Sequence, residues 1–330
     1  MELSDRSILN AIHLTAEPDQ YMLQLKQSAA KASDFLQKIE QAINTLQAER
    51  QRKSIAGGKV DGGLVEIQEL DNLAIISDLH GDSKSLFRIL SEINYERFLS
   101  NPMNKLVFLG DYVDRGSDSV GIMYSVCHLK SAYPDSVVLM RGNHEAPAEF
   151  PFSSHELQFE IEKRFGDGGT EVYRKLLSMF RLLTLATMVR QKLLLVHGGL
   201  PTEDAAANLG SIAAAQENHV RSRVLEELLW NDPRQVDAAP GWESSRRGIG
   251  RHFGSSVSRR WLQASGAKAI VRGHEPCQGF RLDHDDAVMT LFSCREAYPK
   301  FKAAYVALDA DQLAAVNNAR DVSRYVRFPK

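Results

Sequence analysis

Five short stretches of the sequence combine metal-ligating side chains with glycines. They are SDLHG (77–81), GDYVDRG (110–116), GNHE (142–145), HGGL (197–200) and RGHE (272–275). In an extended chain, side chains two residues apart point the same way, so Asp78 and His80 can reach one metal ion. Together the stretches offer aspartate, asparagine and histidine but no cysteine. That donor set suits Mn, Fe or Zn and argues against a structural zinc site.

Each stretch has a plainer interpretation when it is taken alone. A DxH pair arises often by chance, Asp114 and Arg115 could form a surface ion pair, and an isolated histidine is usually structural. The prediction of one site depends on what precedes each stretch, which is a short apolar run typical of a buried strand: NLAIIS, KLVFLG, VVLMRG, LLLV and AIVRG. The carboxyl ends of strands in α/β sheets meet at one crevice. Five strand-like runs that end in ligands therefore predict a single metal site.

The elements that must position these residues are short strands alternating with helical stretches, a pattern of α/β or α+β domains. We predict covering helices at 156–165, 171–186 and 216–230. Residues 303–316 are predicted to form a hairpin that turns at Asp309.

A different pattern precedes the first strand. Four glycines within residues 55–63 predict a flexible joint. Before it, a stripe of apolar residues at three- and four-residue spacing predicts a helix over 18–50 that either self-associates or docks on its own catalytic domain. The stripe consists of Met22, Leu25, Ala29, Ala32, Leu36, Ile39, Ile43 and Leu46. The flanking positions carry no ladder of opposite charges, which favours docking. The predicted units are an N-terminal helical extension (1–56), a glycine-rich linker (57–63), a catalytic domain (64–316) and a C-terminal tail (317–330).

Composition excludes several classes of function. With 40 basic and 42 acidic residues the formal net charge is −2, so we expect neither nucleic acid nor an anionic membrane as a partner. Three scattered cysteines suit a reducing compartment. The sequence has no signal-peptide pattern and no run of eighteen apolar residues. We therefore expect a soluble, cytoplasmic protein.

In their order along the chain, the five stretches resemble the metal-site motifs of the phosphoprotein phosphatase family of metallophosphoesterases. LLWNDP (228–233) and RRGIGRHFG (246–254) resemble its serine/threonine phosphatase branch, and the match covers roughly residues 73–308. The resemblance implies a metallophosphoesterase fold of the α/β (α+β) class. Its central β-sandwich would be flanked by helices, with the N-terminal helical segment added.

The resemblance also implies a centre of two divalent metal ions. Six side chains match the family's ligands: Asp78, His80, Asp111, Asn143, His197 and His274. Asp78 and His80 would hold the first ion, and Asp111 would bridge to the second. We expect Mn²⁺, with iron and zinc as alternatives. Two such ions, about 3.5–4 Å apart, can clamp an in-line displacement and acidify a bridging water.

Four further residues match catalytic and phosphate-binding positions of the family. His144 matches the general acid and Asp114 the carboxylate that orients it, while Arg115 and Arg247 match the phosphate-binding arginines. Planar guanidinium groups suit phosphate oxygens. An imidazolium held by a carboxylate can protonate a poor alkoxide leaving group, typically for about 10²–10⁴ in rate.

Three departures from the family pattern concern the site. Ser77 stands where a glycine is usual, and the tyrosine of LFSCREAYP (291–299) is displaced by one residue. Tyr298 and His252 are our two candidates to face the substrate. The stretch APAEFPFSSHELQFE (146–160) does not match the common eukaryotic enzymes, so substrate selection is expected to differ. We assign no function to the histidines outside every motif, which are His13, His128, His155, His219 and His284.

The resulting hypothesis is a protein serine/threonine phosphatase acting on a phosphorylated protein or peptide. A metal-bridging hydroxide would attack in line, with His144 as the general acid. The alternative is a nucleotide pyrophosphohydrolase, for example one that cleaves diadenosine polyphosphates with the same metals. A catalytically inactive scaffold would lack a ligand or the acid, whereas every such position is filled here.

Overall fold

Two β-sheets packed face to face form the centre of the protein. The computed structural model describes residues 31–216 and 222–330. Within these two ranges, no helix is long and apolar enough to cross a membrane.

One sheet has five strands. They are β4 (Asn72–Ile76), β5 (Lys105–Phe108), β6 (Val137–Leu139), β15 (Tyr305–Asp309) and β16 (Val326–Arg327). Their order is β16-β15-β4-β5-β6, and β4, β5 and β6 run parallel. The carboxyl ends of these three strands therefore lie at the same edge of the sheet.

The second sheet has eight strands in the order β1-β2-β3-β7-β8-β12-β14-β13. They are β1 (Ser54–Ile55), β2 (Gly58–Asp61), β3 (Leu64–Ile67), β7 (Ala186–Val189), β8 (Leu193–Val196), β12 (Ala269–Arg272), β13 (Phe280–Asp283) and β14 (Val288–Leu291). β8 and β12 are parallel neighbours. All five predicted runs are thus confirmed as strands, three in one sheet and two in the other.

The two sheets share an apolar interior. Ile75 and Val107 of the first sheet pack in the same buried cluster as Leu195 and Val271 of the second. All four side chains are fully buried. Burying each of them stabilises the fold by about 1.5–3 kcal/mol. The predicted β-sandwich is confirmed.

Helices cover the outer faces of both sheets. On the five-stranded sheet lie α1 (Ala32–Arg52), α2 (Ser83–Glu92), α3 (Tyr95–Leu99), α4 (Ser119–Ala132), α5 (Leu157–Phe165) and α6 (Gly169–Phe180). On the eight-stranded sheet lie α7 (Leu209–Ala215), α8 (Arg223–Trp230) and α9 (Ser255–Ser265). The helix predicted over 171–186 ends earlier, because the chain turns at residues 181–185 into β7. Residues 217–221 lie outside the described ranges.

Helix α1 packs on the domain that follows it. Phe35, Ile39, Ala42 and Leu46 are buried and belong to the cluster formed with α4 and α6. Docking of this helix on its own domain is therefore observed for residues 32–52. The predicted part over 18–30 lies outside the described residues.

The buried face of α1 is rotated relative to the predicted stripe. Leu36 and Ile43 were counted in that stripe but are only partly buried, whereas Phe35 and Ala42 are completely buried. Contact with two helices at once widens the buried face. At its C-terminal end, the Glu49 carboxylate forms a buried ion pair with Lys130 of α4.

The region around Asp309 differs from the predicted hairpin. Asp309 ends β15 and accepts a hydrogen bond from the backbone N–H of Gln312 (2.8 Å), so it caps α10 (Ala310–Ala314). The hairpin prediction is wrong because an aspartate followed three residues later by glutamine is also a helix capping box.

The segments predicted as a linker and a tail both contain paired strands. β2 lies within the predicted linker 57–63 and pairs with β1 and β3. The last fourteen residues contain α11 (Ala319–Ser323), which packs into the sandwich interior, and β16, which pairs with β15. A small third sheet, β9 (Asp232–Pro233), β10 (Trp242–Ser244) and β11 (Arg251–Phe253), stands beside the site.

Candidate metal centre and catalytic site

The loops after β4, β5, β6, β8 and β12 converge at one edge of the sandwich. A cavity of about 240 Å³ opens there. Its lining comprises His80, Asp111, Arg115, Asn143, His144, Phe152, Ser154, Trp230, Arg247, His274, Pro276 and Tyr298. Strand ends that are far apart in the sequence therefore meet in space as predicted.

Asp111 lies at the centre of two groups of potential metal ligands. Its Oδ2 is 3.6 Å from His80 Nε2, and its Oδ1 is 3.4 Å from His197 Nε2. One group consists of His80, Asp111 and His144 and the other of Asp111, His197 and His274, with the ligand atoms of each within 4.8 Å of one another. The shared carboxylate can bridge two cations.

Backbone carbonyls orient the two histidines that flank Asp111. His80 Nδ1 lies 3.1 Å from the carbonyl of Val113, and His197 Nδ1 lies 3.0 Å from that of Leu109. An Nδ1–H that donates to a carbonyl leaves the Nε2 lone pair facing the cavity, an arrangement usual for metal-binding histidines. Burial lowers the pKa of His80 to about 4, so its imidazole is neutral at pH 7. A neutral imidazole is the form that binds metal.

The polar groups facing the centre fit a bound cation. Asp78 Oδ2 is buried without a hydrogen-bond partner and lies 3.9 Å from His80 Nε2. The side-chain oxygen of Asn143 is 2.8 Å from His274 Nδ1 and 3.2 and 3.3 Å from the two Asp111 oxygens. The Asn143 and Asp111 oxygens repel at these distances unless a cation lies among them or the Asn143 amide is rotated by 180°. Rotation of the amide would still leave Asp78 Oδ2 without a partner. A cation would satisfy both Asn143 and Asp78.

The other Asp78 oxygen is fixed by hydrogen bonds. Asp78 Oδ1 accepts from the Ser77 hydroxyl (2.6 Å) and from the His274 backbone N–H (3.0 Å). Ser77, which stands where a glycine is expected, therefore supports the Asp78 carboxylate. Gly273 is needed beside it, because a Cβ there would lie 2.3 Å from Asp78 Oδ1.

Several site residues have unfavourable backbone conformations. His80, Asp111, Asp114, Arg115 and His274 all have φ between +44° and +70°. Non-glycine residues seldom adopt such values, and each costs of order 1–3 kcal/mol unless the surroundings enforce it. Five such residues around one cavity support a functional site there.

Asp114 connects two histidines beside the cavity. Its Oδ2 lies 2.7 Å from His144 Nδ1 and 2.9 Å from His155 Nδ1. Its Oδ1 accepts from the N–H groups of Glu156 (2.7 Å) and Leu157 (2.8 Å), at the start of α5. Burial opposes ionisation of this carboxyl. The hydrogen bonds from both imidazoles outweigh burial and hold the pKa of Asp114 well below its ordinary value.

Two arginines, Arg115 and Arg247, line the cavity. Arg115 Nη1 donates to the Tyr298 hydroxyl at 2.7 Å, and Arg115 Nη2 lies 3.4 Å from His144 Nε2. Arg247 Nε lies 3.3 Å from Asp232 Oδ2, and Asp232 is itself paired with the buried Arg272 (2.9 Å). Burial raises the pKa of Tyr298 to about 12. Tyr298 therefore keeps its hydroxyl hydrogen at neutral pH.

The structure also places the other predicted residues. His252 lies on β11, 3.3 Å from Glu243, and is not among the residues that line the cavity. Glu145, the last residue of GNHE, is not among the described residues that line the cavity and accepts from the N–H groups of Asp111 (2.8 Å) and Tyr112 (2.9 Å). Burial raises the pKa of Glu145 to about 8.

Sequence reasoning missed part of the site, above all His155. Its Nδ1 is bound to Asp114, its Nε2 is 2.9 Å from the Tyr173 hydroxyl, and its side chain is 11% exposed. Phe152 was also missed; its ring centre is 4.7 Å from that of His144. Trp230 lines the cavity as well. The stretch holding His155 and Phe152 matches no motif, so its only signal was proximity to GNHE in the sequence.

Comparison with known proteins identifies similar chains. The family model for calcineurin-like phosphoesterases matches residues 72–278. The serine/threonine-protein phosphatase T of Schizosaccharomyces pombe is 33% identical over 229 residues, 68% of this chain and 46% of that protein. The serine/threonine-protein phosphatase 5 of Homo sapiens is 30% identical over 252 residues, 75% of this chain and 48% of that protein. The chain thus spans about half the length of the curated relatives it matches.

The fold has a counterpart among solved structures. A protein serine/threonine phosphatase from Saccharomyces cerevisiae gives a TM-score of 0.71 at 22% identity, covering 90% of this chain and 88% of that one. At this identity the likeness concerns the fold alone.

Proposed function

The chain belongs to the calcineurin-like phosphoesterase family, and we propose that it is a metal-dependent protein serine/threonine phosphatase. One observation carries the proposal. Asp111 is shared by two groups of potential metal ligands, one histidine of these groups, His144, is held by Asp114, and two arginines face the same cavity. This combination suits hydrolysis of a phosphate monoester.

Six side chains would hold two divalent ions: Asp78, His80, Asp111, Asn143, His197 and His274. Asp78 and His80 would bind one ion. Asn143, His197 and His274 would bind the other, and Asp111 would contact both. We propose Mn²⁺ because the donors are nitrogen and oxygen without thiolate, and iron or zinc would also suit them. Bound ions would supply the positive charge and the acidified water that the reaction requires.

His144 is proposed as the proton donor to the leaving group. Its Nδ1 is held by Asp114 at 2.7 Å, which leaves Nε2 toward the cavity, 3.4 Å from Arg115 Nη2. The other contacts of the Asp114 carboxylate prevent it from rotating away from His144. A proton delivered from Nε2 to the departing serine or threonine oxygen avoids the release of an alkoxide.

Arg115 and Arg247 are proposed to bind the phosphate. Arg115 is exposed and is steadied by Tyr298, while Arg247 is steadied by Asp232. Guanidinium groups held in this way lose less conformational entropy when they form paired hydrogen bonds to phosphate oxygens. Tyr298 is therefore proposed to face the substrate.

The proposed substrate is a phosphorylated protein or peptide. Support comes from the curated relatives, which are named serine/threonine-protein phosphatases. The experiment compares phosphate release from a phosphothreonine peptide with hydrolysis of diadenosine tetraphosphate, both with added Mn²⁺. We expect a clear preference for the peptide. A strong preference for the dinucleotide would instead identify a nucleotide pyrophosphohydrolase.

We also propose a cytoplasmic location. Cys127, Cys277 and Cys294 are all buried and free. Unpaired cysteines are usual in a reducing compartment. Fractionation of cells that express the protein tests this location.

A further inference from the structure

A second cavity lies on the other side of the loop that carries Tyr298. Its volume is about 650 Å³, and five cationic residues line it together with Phe328: Arg88, Arg295, Lys300, Lys302 and Lys330. We call this cavity the basic cleft. All five cationic residues are exposed, and Phe328 is 44% exposed.

The charge of the basic cleft is not neutralised from within the described part of the protein. None of the five cationic side chains forms an ion pair with a described residue; Lys302 lies over the Phe328 ring, 5.8 Å from its centre. No acidic residue is among the described residues that line the cleft. The whole chain has a net charge of −2, so this concentration of positive charge does not follow from composition.

Two carboxylates accept hydrogen bonds from the backbone around the cleft, and a third, Glu296, follows Arg295 but lies outside the lining. Asp82 is buried and accepts from the N–H groups of Arg295 (2.8 Å) and Glu296 (2.9 Å). Glu92 accepts from the Tyr305 hydroxyl (2.9 Å) and the Lys330 N–H (2.8 Å). These contacts fix the backbone of the cleft and leave its cationic side chains directed to solvent.

The basic cleft and the catalytic cavity share a wall. Tyr298 lines the catalytic cavity, and the next two residues, Pro299 and Lys300, line the cleft. Consecutive Cα atoms are about 3.8 Å apart, so a short extended peptide can reach both openings. Gln278 donates to the Lys300 carbonyl at 2.9 Å and so supports this wall.

We propose that the basic cleft binds an acidic segment of the substrate protein, close in sequence to its phosphorylated residue. The inference rests on the proposed function, since it concerns the selection of that substrate. A concave surface with spread cationic groups and an exposed aromatic ring suits a peptide with carboxylate side chains. Attraction between exposed charges lowers KM and is weakened by salt.

The test uses three phosphothreonine peptides that differ only in their flanks. One has neutral flanks, one an acidic run before the phosphorylated residue, and one an acidic run after it. We expect at least one acidic peptide to have a KM roughly tenfold below that of the neutral peptide at low salt, from a few exposed charge pairs. The difference should shrink as salt increases, because the screening length falls to about 10 Å at 0.1 M.

A charge-reversed variant assigns the effect to the cleft. Arg88→Glu/Lys300→Glu should abolish the preference for the acidic peptide while leaving turnover of p-nitrophenyl phosphate unchanged. The matched control is Lys59→Glu/Lys268→Glu. It reverses two exposed lysines outside the lining of the cleft and should keep the preference. An equal KM for all three peptides, or a preference retained by Arg88→Glu/Lys300→Glu, would overturn the proposal.

Direct binding separates this proposal from the proposed function. An unphosphorylated acidic peptide, followed by fluorescence anisotropy, should bind the unaltered protein and the control but not Arg88→Glu/Lys300→Glu. If the acidic peptide binds in this way but no peptide releases phosphate, the proposed role of the basic cleft stands and the proposed phosphatase activity is rejected. Vesicles of phosphatidylserine that bind through the same two residues, without any peptide binding, would assign the cleft to a membrane and overturn the proposal.

Discussion

Replacing His155 by alanine tests whether this histidine positions the proposed acid. His155 Nδ1 gives one of four hydrogen bonds to Asp114, the others coming from His144, Glu156 and Leu157. A hydrogen bond to a charged group contributes roughly 1.5–3 kcal/mol. The three other contacts still hold Asp114, so we expect the loss of this hydrogen bond to raise the activation free energy by only about 1.4–2 kcal/mol. That corresponds to a loss of roughly 10- to 30-fold in kcat.

The assay distinguishes positioning from a general structural effect. Turnover of a phosphothreonine peptide needs a proton for its alkoxide leaving group, whereas p-nitrophenolate leaves without one. His155→Ala should therefore lower kcat for the peptide by the stated factor and kcat for p-nitrophenyl phosphate by less than about threefold.

Tyr173→Phe is the matched control for His155→Ala. It removes the hydroxyl 2.9 Å from His155 Nε2 but leaves the imidazole on Asp114, so most of the peptide activity should remain. Equal losses on both substrates would contradict a positioning role for His155, as would full peptide activity in His155→Ala. Thermal unfolding of each variant checks that the fold is intact.

Three further predictions concern the metals, the acid and helix α1. Asp111→Asn should weaken binding of both ions, since both ligand groups include this carboxylate; metal analysis that finds two tightly held ions would contradict this. His144→Asn should retain both ions and lose about 10²–10⁴ in peptide turnover, so intact turnover would reject His144 as the acid. Leu46 is only 2% exposed, so Leu46→Ala should lower the free energy of unfolding, measured in urea, by about 2–5 kcal/mol. The control Gln47→Ala changes an exposed side chain and should lower it by less than about 0.5 kcal/mol. Equal effects of the two substitutions would contradict the docking of α1.

The strands that carry the ligands were predictable because their signals are local. Each apolar run is short, ends at a glycine or a ligand, and is buried on both faces in the structure, as for Leu106 and Val107 of β5. Asp78, Asp111 and His197 could be placed together since strand ends in such sheets share one edge.

The features that the sequence did not predict depend on contacts between distant parts of the chain. His155 meets Asp114 across 41 residues, and nothing in its own stretch specifies that contact. The buried face of α1 depends on where α4 and α6 lie, so spacing alone left Phe35 outside the predicted stripe. α11 and β16 are short and polar in sequence, and become ordered through the sandwich interior and β15.

The most direct test of the proposed two-metal phosphatase is a metal titration of the metal-free protein, monitored by phosphate release from a phosphothreonine peptide. We expect no release before metal is added and a rate that reaches its plateau at two Mn²⁺ ions per chain. Full turnover by protein verified to be metal-free would contradict the proposal, and so would a plateau at a single ion.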